Sequence, residues 1–251
     1  MEKRFELSKE EWNDFWSMYK PKPKIVNSVL FEDIFEKYLV YDTKLSCIEI
    51  GCVPGNFLIY LHKKYGYKIY GVDYSDYIGI AEENMKINCV KKYKIFKEDF
   101  LSWRTNLRFD IVCSFGFIEH FTNYKEVIEK HTSLLKRRGL LILTAPNFGY
   151  GRVLLHRIFR DYDTLLKHNP EITDLNMLKD VLEKKGLRIL LLNYYGTFSY
   201  WMLPDAYKGR NVIERIFLFL MGLTERLLEN AKINVPNKYF SPTIVCVARA
   251  P

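Results

Sequence analysis

The residues of this chain that could do chemistry stand at the ends of short apolar runs. Leu45-Ser-Cys-Ile-Glu-Ile50 leads into Gly51-Cys-Val-Pro-Gly55 and then into an amphipathic stretch from Asn56. That order reads as a strand, a tight glycine turn and a helix N-terminus. Such a turn lets backbone approach a ligand closely, and the helix end offers it unpaired N–H groups. Asp73 follows Gly51 by 22 positions and closes the next apolar run. An acid there can accept the hydroxyls of a ribose, or simply cap a helix. Asp99-Phe100 closes a third run. A carboxylate beside a ring suits the amine and the face of an adenine, and equally an ordinary turn.

Counting glycines narrows the ligand. A dinucleotide fingerprint starting at Gly51 needs glycines at 53 and 56, where Val53 and Asn56 stand. A phosphate-cradling loop fails too, because no Gly-Lys-Ser/Thr follows. Two histidines sit where an acceptor could be handled, His120 after the fourth apolar run and His168 in an irregular segment. Either could serve as a general base, since imidazole works near neutral pH. His62, His131 and His156 read as helix or loop residues.

The elements that must position these groups follow from periodicity. Strands are predicted at Leu45–Ile50, Lys68–Asp73, Tyr93–Lys97, Phe109–Phe115 and Leu140–Ala145, with helices at Asn56–Tyr65, Asp76–Asn88 and Tyr124–Leu135. Short apolar strands alternating with helices mean βαβ crossovers and a mostly parallel sheet. Such a sheet binds ligands at its C-terminal strand ends, where Glu49, Gly51, Asp73, Asp99 and Phe115 to His120 all fall. Ahead of it, Ser8-Lys-Glu-Glu11 is a capping box for a helix carrying Trp12, Phe15, Trp16 and Tyr19 and ending at Pro21. A second helix is predicted over 28–39. Beyond Asn147 the regularity fails over 148–172. A helix at Leu175–Lys185, a strand at Arg188–Tyr194, a helix over 211–230 and a buried strand at Thr243–Arg249 complete the chain. The reading is one 251-residue domain: a helical cap over 1–43, a binding core over 44–147, acceptor-side insertions over 148–172 and 196–240, and a closing strand over 241–251.

Composition excludes several classes. The net charge of +8 is spread along the chain, whereas nucleic-acid binders concentrate charge on one stripe. The five cysteines lack metal-ligand spacing, so no metal site is expected and they read as reduced, buried thiols of a cytoplasmic protein. No apolar run is long enough to span a membrane. The wide apolar face of the 211–230 helix (Ile213, Ile216, Phe217, Leu220, Leu223, Leu227, Leu228) is interrupted by Glu214, Arg215, Glu225 and Arg226. It points to packing or a homodimer ahead of a lipid surface.

Taken together, Ile48 to Phe57, Gly71-Val-Asp-Tyr-Ser75, Glu98-Asp-Phe100, Phe109 to His120 and Leu134 to Asn147 resemble the class I S-adenosylmethionine-dependent methyltransferases, in the broad group of the ubiquinone-biosynthesis enzymes. The resemblance covers about residues 45–147, plus the closing strand. It implies a Rossmann-like, seven-stranded sheet with helices on both faces. It also implies S-adenosylmethionine as cofactor, converted to S-adenosylhomocysteine. It places Glu49 and Gly51 at the methionine end, Asp73 at the ribose, Asp99 and Phe100 at the adenine, and Phe115 and Gly116 near the sulfonium. Cys52, Gly55 and Tyr74 lie in the same motifs and join the cofactor set. The chain departs from the family pattern at two places. Val53 replaces a glycine beside the methionine part, and Arg137-Arg138 replace a proline and glycine.

The expected activity is methyl transfer to an oxygen or nitrogen of a small molecule. Phe148, Tyr150, Tyr194, Tyr195, Phe198, Tyr200 and Trp201 would either line the acceptor pocket or form a local core. The alternatives are an RNA or protein acceptor, a non-catalytic relative that only binds the cofactor, and a lipid acceptor at a membrane.

Overall fold

The structure, a computed structural model, describes residues 6–19, 21–199, 210–231, 233 and 235–251, with the side chains of Tyr150 and Glu229 left aside. Tyr200 and Trp201 lie outside these residues. Seven strands form one sheet: β1 (Ser46–Ile50), β2 (Lys68–Asp73), β3 (Tyr93–Lys97), β4 (Phe109–Phe115), β5 (Leu135–Pro146), β6 (Arg188–Tyr195) and β7 (Thr243–Arg249). Their order is β3-β2-β1-β4-β5-β7-β6. The first five run parallel, and β7 lies antiparallel between β5 and β6.

Every residue of β1 is buried, because helices cover both faces of a parallel sheet. One apolar core joins Ile48, Val112 and Leu141 to the helix Tyr124–Ser133. The other joins Cys47, Cys113 and Ile142 to the helices Glu32–Tyr38 and Asn56–Tyr65. The strand order reverses between β1 and β4, which opens a crevice at their C-terminal ends. Glu49, pairing with Cys113 across that seam, fixes its register.

The expected helix at Asn56–Tyr65 is present, the one expected at Leu175–Lys185 runs Leu175–Lys184, and the helix within 76–88 runs Ile78–Ile87. Two expectations change. The 28–39 helix covers only Glu32–Tyr38, beginning after Phe31 at φ +71°. The 148–172 segment is largely helical, with helices Tyr150–Ile158 and Tyr162–Leu166 and a 3-10 turn, Pro170–Thr173. Its helical spacing is hidden in the sequence by interleaved arginines and aromatics. In the helix Val212–Asn230, Leu218 and Met221 are buried against Phe159. Ile213, Ile216, Phe217, Leu220, Leu223 and Leu227 remain exposed, so among the described residues most of the predicted packing face stays open, although Phe217 meets Phe159 with ring centres 5.6 Å apart. Arg138 takes φ +61°, the glycine-like conformation its place in the family turn requires.

Candidate active site

A cavity of about 530 Å³ opens at the crevice, within the range of small-molecule sites. One end is built from strand ends and their turns. Gly51 stands at φ +70°, and a Cβ there would lie 2.7 Å from Cδ2 of Phe117. Both its conformation and the space beside it therefore demand glycine. Asp73, at the end of β2, accepts the Val53 N–H at 3.1 Å and the Ser75 N–H at 2.9 Å. It thus ties the glycine turn to the neighbouring strand. A carboxylate has about four acceptor positions, so two remain for a ligand. Asp99 is exposed and holds an Asx turn through Leu101 N–H. Phe100 beside it is buried, edge-on to Phe117 at 5.8 Å. Phe115 stacks on Phe57 with ring centres 3.8 Å apart, and Gly116 turns away at φ +70°.

Gly51, Asp73, Tyr74, Asp99, Phe100, Phe115 and Gly116 line the cavity, together with Val53 and Ser75. Glu49, Cys52 and Gly55 stand behind this lining. Cys52 packs where Gly71 leaves room for it, since a Cβ on Gly71 would lie 2.5 Å from Cys52 Sγ. Gly55 packs against Ala81 and Met85 and precedes the Asn56–Tyr65 helix without a side-chain cap. Glu49 is buried with Oε2 unpartnered. Burial, then the charge of Asp73, push its carboxyl well above the usual range. Val53, whose substitution for glycine could crowd the methionine part, points a buried side chain at the lining and its N–H at Asp73.

The other end is assembled from segments distant in sequence. After β4, the 3-10 turn Ile118–His120 buries Glu119 and His120. The 167–169 segment docks onto this turn. Asn169 N–H donates to Glu119 O at 2.7 Å, and Asn169 Nδ2 donates to Phe121 O at 3.0 Å. His120 Nδ1 meets Lys167 O at 2.9 Å. This docking brings His168 to His120 with ring centres 4.7 Å apart. His168 is held from behind, because its Nδ1 bonds Thr164 O at 2.6 Å and Thr164 Oγ1 donates to Asp161. Burial lowers His120 well below its ordinary value and His168 to about 4. Burial also raises Glu119 to about 8. At neutral pH both imidazoles are therefore neutral and Glu119 is largely protonated.

The first helix, Lys9–Tyr19, lies over this end. Its capping box forms as expected, with Ser8 N–H to Glu11 Oε2 at 2.7 Å and Glu11 N–H to Ser8 Oγ at 3.2 Å. Asn13 and Asp76 exchange two hydrogen bonds, and Tyr74 donates to Leu7 O. Trp12, Phe15 and Trp16 line the cavity, with Trp12 edge-on to His120 at 4.8 Å. Of the aromatics read as either acceptor pocket or local core, the four whose side chains are described, Phe148, Tyr194, Tyr195 and Phe198, lie outside the cavity lining. Phe148 packs behind His168, Tyr195 donates to Asp33, and Phe198 joins the small cluster around Phe159. Tyr194 packs against the main core. Glu119 was missed because its chemistry depends on its burial beside two histidines.

The glycine cradle, Asp73 with spare acceptor capacity, and the Phe100 and Phe117 rings fit an adenosine-bearing cofactor better than a pyrophosphate. Comparison with known proteins agrees. A family model described as a methyltransferase domain matches residues 20–192. No curated protein sequence matches the chain. Among solved structures, the fold is similar to that of the cyclase SpnF (12% identity, TM-score 0.62, 98% of each chain covered). It is similar to magnesium protoporphyrin IX methyltransferase from Synechocystis PCC 6803 with bound SAH (15% identity, TM-score 0.58, 97% of each chain covered). It is also similar to phosphoethanolamine N-methyltransferase 2 of Haemonchus contortus in complex with S-adenosyl-L-methionine (15% identity, TM-score 0.61, 97% of this chain and 57% of that one).

Proposed function

The chain belongs to the methyltransferase-domain family, and from that premise we propose that it methylates an oxygen or nitrogen of a small acceptor held at the histidine end of its cavity. The cofactor is S-adenosylmethionine, which when bound supplies the electrophilic methyl group. Asp73 would hold its ribose, Asp99 and Phe100 its adenine, and Gly51 and Gly116 give its chain room. A ubiquinone-type acceptor is one member of the class and has no separate support.

The observation that carries this reading is the continuity of the cavity. One space reaches from Gly51 and Asp73 to His120 and His168 under the Trp12–Trp16 face. An acceptor enclosed there is small and partly apolar, which favours it over RNA or a protein. Fold likeness alone would not decide the matter, since one similar structure is a cyclase. The residues support it. The neutral imidazoles accept a hydrogen bond from the acceptor's O–H or N–H and so fix the nucleophile in line, the main demand of a direct displacement. Their lowered basicity makes orientation their work ahead of proton removal. The reading also carries a cytoplasmic location, the domain division given above and a homodimer through the open face of Val212–Asn230. Sedimentation of the purified chain reads the last.

The test is transfer of labelled methyl from S-adenosylmethionine into a metabolite extract. Label should appear in one or a few small products with the wild type and fall sharply with Trp12→Ala. No labelled product with any acceptor would leave a cofactor-binding protein and refute methyl transfer.

A further inference from the structure

We propose that Glu119, His120 and His168 form a binding site for one divalent transition-metal ion of the zinc class. One ligand atom from each lies within 4.8 Å of the others, and all three side chains are buried. The arrangement rests on three observations. First, each histidine has already used its Nδ1. A backbone carbonyl can only accept, so Nδ1 of His120 donates to Lys167 O and Nδ1 of His168 donates to Thr164 O. Both rings therefore present an Nε2 lone pair, the state of a metal-binding imidazole oriented by a carbonyl behind it. Second, Glu119 Oε2 is buried without a hydrogen-bond partner. A polar atom left so is costly, and a cation would satisfy it. Its Oε1 already lies 3.6 Å from His120 Nε2. Third, the cluster is rigid from behind. Thr164, which holds His168, is itself bonded to both carboxylate oxygens of Asp161 at 2.8 Å.

A bound ion displaces the Glu119 proton to solvent, and two nitrogens and one carboxylate favour zinc, cobalt, nickel or manganese over magnesium and calcium, which prefer oxygen donors alone. Bond lengths near 2.0–2.2 Å require the three atoms to close by on the order of 1 Å. Rotation of the unpartnered Glu119 carboxyl supplies the part of it that involves its oxygen. Three protein ligands leave positions open, the pattern of a reactive rather than structural site. All three residues line the cavity, so the open positions face the space given above to the acceptor. A bound ion takes both Nε2 lone pairs, so its open positions, in place of the imidazoles, would hold the acceptor's oxygen or nitrogen; that role rests on the functional reading, and the ion's binding does not.

The test uses the tag-free, chelator-treated full chain. Zinc is titrated calorimetrically and cobalt by visible absorption. The site predicts one equivalent of each, with a cobalt spectrum of nitrogen and oxygen ligands. His120→Ala, His168→Ala and Glu119→Gln should each weaken zinc at least about tenfold while S-adenosylhomocysteine binding stays within about twofold. No saturable binding by the wild type would overturn the proposal. So would undiminished zinc binding in the variants. If a variant fails to fold, the wild-type cobalt spectrum still decides: intense thiolate bands would put the ion at a cysteine and refute the site. Zinc bound without S-adenosylhomocysteine would retain the metal site and remove the functional reading; the reverse would do the opposite.

Discussion

The two ends of the cavity are made differently. The glycine end is built mostly of backbone: strand termini in fixed register, turns at positive φ, and one carboxylate that pins two N–H groups. The histidine end is built of side chains from three segments, residues 7–16, 117–121 and 167–168, the last two joined by individual hydrogen bonds and the first meeting them through Trp12 against His120. A backbone-built end specifies a ligand shared by many proteins. A side-chain-built end can change its ligand without disturbing the sheet. The division of labour between cofactor and acceptor follows from that difference.

If the division is real, substitutions at the two ends should separate cleanly. Gly51→Val should have the largest effect. It forces a Cβ to within 2.7 Å of Phe117 at a backbone conformation L-residues avoid. Calorimetry should show S-adenosylhomocysteine affinity reduced at least about a hundredfold, close to 2.7 kcal/mol. His168→Ala should do the reverse, leaving that affinity intact while turnover falls roughly ten- to a hundredfold through a misplaced acceptor. Loss of cofactor affinity in His168→Ala would merge the two ends. Trp12→Ala should raise the acceptor KM by about tenfold, near 1.4 kcal/mol. The melting temperature should hardly move, because no residue of the Lys9–Tyr19 helix is fully buried.

The smallest effect is one of pH. Glu49 has its folded-state pKa raised well above 4.5 by burial and by Asp73. Between 4.5 and that higher value the folded state holds a proton the unfolded state has lost, so stability is full below 4.5 and declines as pH rises. Glu49→Gln should flatten this decline in thermal melts taken from weakly acidic to weakly alkaline pH. An unchanged slope would mean Glu49 is ionised in the folded protein.

The glycine end could be read from the sequence because its signals are local. Gly51, Asp73 and Asp99 each close an apolar run whose period identifies a strand, and sheet topology then brings strand ends together. Lys68–Asp73, Tyr93–Lys97, Phe109–Phe115 and Thr243–Arg249 form as their alternation predicts. The capping box at Ser8 and Glu11 was legible for the same reason. Glu119 and the pairing of His120 with His168 were not. Their partners lie nearly fifty positions apart, joined by Asn169 and Lys167 contacts to backbone that no spacing rule encodes. For Phe148, Tyr194, Tyr195 and Phe198 the sequence left acceptor pocket and local core both open, because ring-rich segments read alike whether they face a cavity or a neighbouring element; none of these four lines the cavity. The aromatic stripe of the first helix could be read from the sequence as core packing or as an arm over a ligand; Trp12, Phe15 and Trp16 line the cavity, with the helix tied to Tyr74 and Asp76 by hydrogen bonds.

The central claim is that the strand-end half of this cavity holds the methyl donor through Asp73. Titration of S-adenosylhomocysteine into the wild type and into Asp73→Ala tests it most directly. The account predicts one equivalent bound by the wild type and affinity weaker by on the order of a hundredfold in the variant, where a charged acceptor of hydrogen bonds is lost. No binding by the wild type, or equal affinity in Asp73→Ala, would contradict it.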